Sequence, residues 1–135
     1  LIYRMVGRLA YGLYASREYV DRRGEPRSLR DLVRHTFVGF AEPLHRLPAM
    51  RWLRERGAER FAVRATTFSA VLAAARAGVG IAPLPELTAS GLRRILPRAR
   101  FDPQAVYLVT HPHARRLPHV RAFGEALAER LARAS

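Results

Sequence analysis

The sequence contains no cysteine, no lysine and no asparagine. Without cysteine there is no disulfide scaffold, no thiolate nucleophile and no cysteine-ligated zinc or iron–sulfur centre. Long apolar runs are missing as well: none approaches the roughly 20 residues that cross a bilayer. The opening stretch Leu1–Ala10 is interrupted by Arg4 and Arg8, unlike a signal peptide. These absences point to a cytoplasmic chain with no membrane partner. The first residue is leucine, so the expectation is a piece of a longer protein. Against the absences stand 49% hydrophobic and 9% aromatic residues in a chain of 135, enough for a core. That composition excludes disordered, collagen-like and coiled-coil chains, and the length allows one domain at most.

Acidic residues are few: 11 against 24 basic ones, a formal net charge of +13. Such an excess attracts phosphate-rich partners, because neutralised phosphates release counterions. Yet every basic residue is arginine and alanine is abundant, the mark of a bias spread over the whole sequence. The arginines are dispersed, nine in the first fifty positions and ten in the next fifty, and Arg51, Arg54 and Arg56 are interleaved with Glu55 and Glu59. A DNA-reading basic region clusters its arginines on one helix with few acids between them. The dispersed pattern reads as solvated surface.

Residues Arg8 to Ala15 alternate with a period of two and predict a strand. Ser16 then caps a short helix that stops near Gly24. Ser28, with Asp31 three residues on, opens a second helix whose buried face is predicted to be Leu29, Leu32 and Val33. Thr36–Phe40 reads as a strand, Pro48 as the first residue of a helix ending at Gly57, and Phe61–Ala65 as another strand. A helix over Phe68–Ala77 follows, rich in alanine and stopped by Gly78. Gly80–Pro85 is a short buried strand, because Pro83 and Pro85 forbid a helix. A short strand lies around Leu92–Leu96. Ala105–Thr110 is an apolar strand, and Val120, Phe123, Leu127 and Leu131 mark an amphipathic terminal helix. The alternation predicts an α/β fold with a mixed, largely parallel sheet flanked by helices.

The corner Thr66, Thr67, Phe68, Ser69 is the most informative stretch. It offers free backbone N–H groups and hydroxyls at the positive end of a helix dipole, which suits a carboxylate, sulfate or phosphate. A plain N-cap at Thr67, worth about 1 kcal/mol, accounts for the same residues, and both roles can hold together. In open α/β sheets small ligands bind beyond the carboxyl ends of strands, which favours the corner. Gly78 and Gly80 follow a helix and precede a strand, the wrong order for a dinucleotide fingerprint. His111 and His113, with His119 nearby, lack a further ligand at metal-binding spacing, so no metal and no cofactor is expected. Glu55/Glu59 and Glu125/Glu129 lie four apart beside arginines, the spacing of surface ion pairs. No Ser, His and Asp set forms a triad. The chain is read as a non-enzyme.

The run Ala70–Pro85 (AVLAAARAGVGIAPLP) is similar to the helix, glycine turn and short strand of the effector-binding domain of LysR-type transcriptional regulators. Segments Tyr14–Tyr19, Gly24–His35, Leu92–Pro97 and Val106–Phe123 agree in order, so the resemblance covers almost the whole chain. It implies a fold like the type-2 periplasmic binding proteins, two α/β subdomains flanking a cleft. Residues 12–104 then match the second subdomain, and residues 1–11 and 105–135 the elements returning to the first. By position Thr66, Thr67, Phe68 and Ser69 match the family's effector cleft, while Gly39 and Phe40 match a neighbouring strand-end wall.

The resemblance further implies a small organic anion as effector and a dimer or tetramer in the full-length protein. DNA contact would come only through an N-terminal winged helix-turn-helix, which this sequence does not contain. Two alternatives remain open from the residues: a solute-binding protein of the same fold, and non-specific nucleic-acid binding through the arginine surface. Because half of the first subdomain is missing from the match, strand Ala105–Thr110 and the last helix are expected to leave an apolar patch without partners.

Overall fold

The computed structural model describes residues 1–134. The chain forms two compact units, Tyr11–Asp102 and a smaller one made of Leu1–Ala10 with Pro103 onward.

The larger unit begins with β2 (Tyr11–Ala15), after strand β1 (Ile2–Leu9) of the smaller unit. The sequence reading placed one strand over Arg8–Ala15; the structure instead breaks at Ala10, and the alternation belongs to two strands in two units. The Ser16 hydroxyl accepts the Tyr19 amide at 3.1 Å and starts α1 (Arg17–Arg23), which Gly24 ends. Residues Leu29–Arg34 wind as a 3-10 helix, with the Asp31 carboxylate accepting the amides of Arg27 and Ser28. Three residues per turn put Leu32 and His35 on the buried side and turn Val33 outward; Leu29 shares the stripe of Leu32 but is exposed at its first position, so of the three residues expected to be buried only Leu32 is. There follow β3 (Phe37–Phe40), α2 (Pro48–Glu55), β4 (Phe61–Ala65), α3 (Phe68–Arg76), β5 (Ala82–Pro85) and β6 (Arg93–Ile95).

Strand β3 pairs in parallel with β4, and β2 pairs antiparallel with both β5 and β6. A parallel bridge between Phe37 and Ile81 joins the two ladders, with Val38 N–H to Ile81 O and Ile81 N–H to Thr36 O both at 2.9 Å. The order is therefore β4-β3-β5-β2-β6, and only β2 runs against the rest. This bridge requires glycine at position 80. A Cβ there would lie 2.6 Å from the Thr36 carbonyl oxygen, well inside contact distance. Gly78 just before it adopts φ +80°, the left-handed stop that ends α3. Strands β2, β3 and β5 are buried along their whole length, and the core gathers Leu13, Tyr19, Leu32, Phe37, Leu53, Ile81 and Ile95.

One polar pair lies within that core. The Tyr19 hydroxyl accepts the Thr36 amide at 3.2 Å and is hydrogen-bonded to His35 Nδ1 at 2.7 Å. Arginines spread flat over several rings: Arg56 lies 4.1 Å above Trp52 and Arg64 4.7 Å above Phe61. The edge of Phe101 closes on Trp52 from another side, with ring centroids 5.2 Å apart.

In the smaller unit β1 pairs antiparallel with β7 (Gln104–Thr110), and α4 (Pro118–Ala134) covers one face of the pair. A bulge between Met5 and Gly7 breaks the alternation of β1. Gly7 lets the helix approach, since a Cβ there would collide with Leu131 at 2.7 Å. The opposite face carries Tyr3, Met5, Tyr107 and Val109, all exposed; the strand part of the expected patch is thus found on β7, joined by β1, whereas α4 packs on the other face and Leu131 is buried. Among the described residues no helix is long and apolar enough to cross a membrane.

Two outcomes test this account. Gly80→Ala should lower unfolding free energy by about 1–3 kcal/mol in urea denaturation, the cost of forcing atoms into a packed site; an unchanged midpoint would mean the bridge can open at no cost. Burial first, then the positive charges of Arg23 and Arg34, hold the His35 proton affinity below its ordinary value of 6.5, with Asp31 opposing. The unfolded chain then binds that proton more tightly. The resulting stability is full above pH 6.5 and is lost as pH falls through the lower folded-state value. Denaturation followed by circular dichroism should show this loss, and His35→Gln should flatten it.

Candidate functional site

The parallel register of β3 and β4 sets Phe40 beside Ala65, so the carboxyl ends of both strands finish at the same level. Ala41 N–H donates to Ala65 O at 2.9 Å and fixes that level. Thr66 and Thr67 then turn the chain into α3. Thr67 is extended (φ −128°, ψ 150°), and its Oγ1 accepts the Ala70 amide at 3.2 Å as an N-cap. The Ser69 hydroxyl donates to the same oxygen at 3.4 Å. With two donors already on Thr67 Oγ1, its own proton points elsewhere as a free donor. Among the described residues the amides of Phe68 and Ser69, at the start of α3, have no acceptor.

Thr66, Thr67, Phe68 and Ser69 are all exposed, so the corner is open and no side chain of the larger unit plugs it. Residues 60–77 carry three arginines and no acid. Phe40 is fully buried and reaches the corner through its ring, edge-on to Phe68 at 5.0 Å. Gly39 is different. The space a side chain would take there is held by Phe61 and Met50, at 2.6 and 2.9 Å from an added Cβ, so this residue faces packed core and has only its backbone to offer. The structure thus gathers Thr66, Thr67, Phe68, Ser69 and Phe40, and sets the side of Gly39 apart from them.

Sequence reasoning missed Tyr11. Its ring lies 6.5 Å from that of Phe68, it is 5% exposed, and its hydroxyl has no hydrogen-bond partner among the described residues. Burial pushes that hydroxyl up to about 12. In the sequence it is one apolar-looking position of an alternating strand, with nothing to set it apart from Leu13. His111 and His113 stack with ring centroids 4.8 Å apart, and among the described residues no three His, Cys, Asp or Glu side chains converge.

An unsatisfied buried hydroxyl costs about 1–3 kcal/mol. Tyr11→Phe should therefore leave the ligand-free protein as stable or about 1 kcal/mol more stable in thermal or urea unfolding. Thr67→Ala should cost about 1 kcal/mol through the lost cap. A destabilised Tyr11→Phe variant would mean that the hydroxyl is satisfied after all.

The family described as the LysR substrate binding domain matches residues 1–132. No curated protein matches the chain. Among solved structures it is similar to the regulatory domain of CrgA, a LysR-type transcriptional regulator from Neisseria meningitidis, with 21% identity and a TM-score of 0.75, over 96% of this chain and 69% of that one. It is also similar to the regulatory domain of AphB from Vibrio vulnificus, with 24% identity and a TM-score of 0.64, over 96% and 69%. Of the longer CrgA structure from the same organism it spans 48%. The fold is that of these regulatory domains, periplasmic-binding-protein-like, and the match favours a regulator's sensing module over transport-type solute binding or direct nucleic-acid binding. That family is regulatory rather than catalytic. The chain belongs to the LysR substrate-binding domain family, the effector-sensing module of LysR-type transcriptional regulators.

Proposed function

We propose that the corner formed by Thr66, Thr67, Phe68 and Ser69, with Phe40 behind it, is this chain's part of a site for a small organic anion. The observation that carries the reading is the set of unpaired donors at the head of α3: two amides and the Thr67 hydroxyl proton, in a segment with arginines and no acid. A carboxylate or phosphate would satisfy those donors and gain from the helix dipole. Tyr11 supports the reading, because its ring neighbours that of Phe68 and its buried, unpartnered hydroxyl has a donor to give.

In this reading Tyr11–Asp102 is the second subdomain of the sensor, and the β1, β7 and α4 unit contributes to the first. The whole regulator is a cytoplasmic dimer or tetramer that contacts DNA through a winged helix-turn-helix. The effector acts by binding one arrangement of the assembled protein more tightly than another, since equal affinity for both would shift nothing.

Isothermal titration calorimetry with a panel of small carboxylates and phosphates tests the site. A bound member should lose about tenfold or more in affinity in Thr67→Ala/Ser69→Ala, the equivalent of about 1.4 kcal/mol. Tyr11→Phe should weaken it as well. Affinity unchanged in both variants would refute the assignment.

A further inference from the structure

We infer that the smaller unit carries a second anion site, independent of the corner at Thr67, for a compact polyanion bearing phosphate or carboxylate groups. Between α4 and the covered face of the β1–β7 pair lies a cavity of about 390 Å³, within the roughly 300–1,000 Å³ typical of small-molecule sites. Its walls include four arginines that arrive from three places: Arg4 on β1, Arg115 and Arg116 in the turn before α4, and Arg121 in the first turns of α4. Thr110, at the end of β7, adds a hydroxyl. Among the described residues none of these guanidinium groups has a carboxylate within ion-pair distance.

The local charge explains why. This unit holds seven arginines and only two acidic side chains, Glu125 and Glu129, both farther along α4. In the larger unit some arginines do have carboxylate partners, as Arg93 has Glu25 and Arg94 has Glu86. Four like charges around one concave space repel each other and focus a positive field into it, which a bound polyanion relieves. Guanidinium groups suit this task, since each presents two parallel N–H donors to a carboxylate or phosphate. Space is also reserved for them. Gly124 has no side chain, and a Cβ there would lie 3.3 Å from Arg4 Nη1 and 3.1 Å from Leu108 Cδ2, so glycine at this place leaves room for the Arg4 guanidinium beside the helix. All four arginines are exposed, so replacing them leaves the apolar packing of the unit intact.

The test is calorimetric titration of the full chain at low ionic strength with two probes, inorganic pyrophosphate and citrate. Saturable one-to-one binding of either is expected, pyrophosphate alone marking a phosphate ligand and citrate alone a carboxylate ligand. Arg4→Gln/Arg121→Gln should weaken it tenfold or more, with an unchanged circular dichroism spectrum. One control should bind as the unaltered chain does: Arg98→Gln/Arg100→Gln, which removes equal charge from the larger unit. The inference is overturned if neither probe saturates, if the Arg98/Arg100 variant weakens binding equally, or if short duplex DNA shows the Arg4/Arg121 dependence while both small anions do not. Failure here leaves the corner at Thr67 standing, because its own variants report on it separately.

Discussion

Everything in the larger unit is positioned by one close backbone approach, Gly80–Ile81 against Thr36–Phe37. Among the described residues two backbone hydrogen bonds at 2.9 Å join the parallel β3–β4 ladder to the antiparallel ladder around β2, and the shared core of Leu13, Phe37, Ile81 and Ile95 packs across the join. Because β3 is fixed there, its far end stops where β4 stops, and the turn into α3 opens at the sheet's carboxyl edge. Tyr19 reinforces the same spot by holding the Thr36 amide and His35. The proposed effector corner is thus a product of packing several residues away from it.

Both proposed anion sites rest on the same physical idea, donors that the protein leaves without acceptors, but they realise it differently. At Thr67 the donors are backbone and hydroxyl groups of one helix start, neutral and directional, with an aromatic floor of Phe40 and Phe68. Such a site selects shape. In the smaller unit the donors are four full charges brought from separate elements, a site that selects charge. Their strength responds to salt in opposite degree, since screening acts on net charge far more than on oriented dipoles at contact distance.

Local signals made much of this fold legible. Ser16 and Thr67 announce helix starts by chemistry that acts over three residues, Pro48 fits a first turn, and Gly78 is the residue that a left-handed stop requires. What depends on partners far along the chain was not legible. The bulge at Val6 hid β1 by breaking its period of two, and the 3-10 winding of Leu29–Arg34 turned Val33 outward where an α-helical period would bury it. Gly39 could be placed beside the corner by its position, but not known to face Phe61 and Met50. Tyr11 owes its unsatisfied hydroxyl to burial that no neighbouring residue foretells, and Arg4 meets Arg115 across more than a hundred residues of sequence.

The single tryptophan has a practical meaning for anyone measuring stability. Trp52 sits under Arg56 and against Phe101, deep in the larger unit, and the smaller unit has no indole at all. Tryptophan emission, excited where tyrosine does not absorb, therefore follows the melting of one unit and not that of the other, whose fluorophores are Tyr3 and Tyr107. Coincidence between an emission trace and a calorimetric one is then the criterion for whether the two units unfold as a single cooperative body.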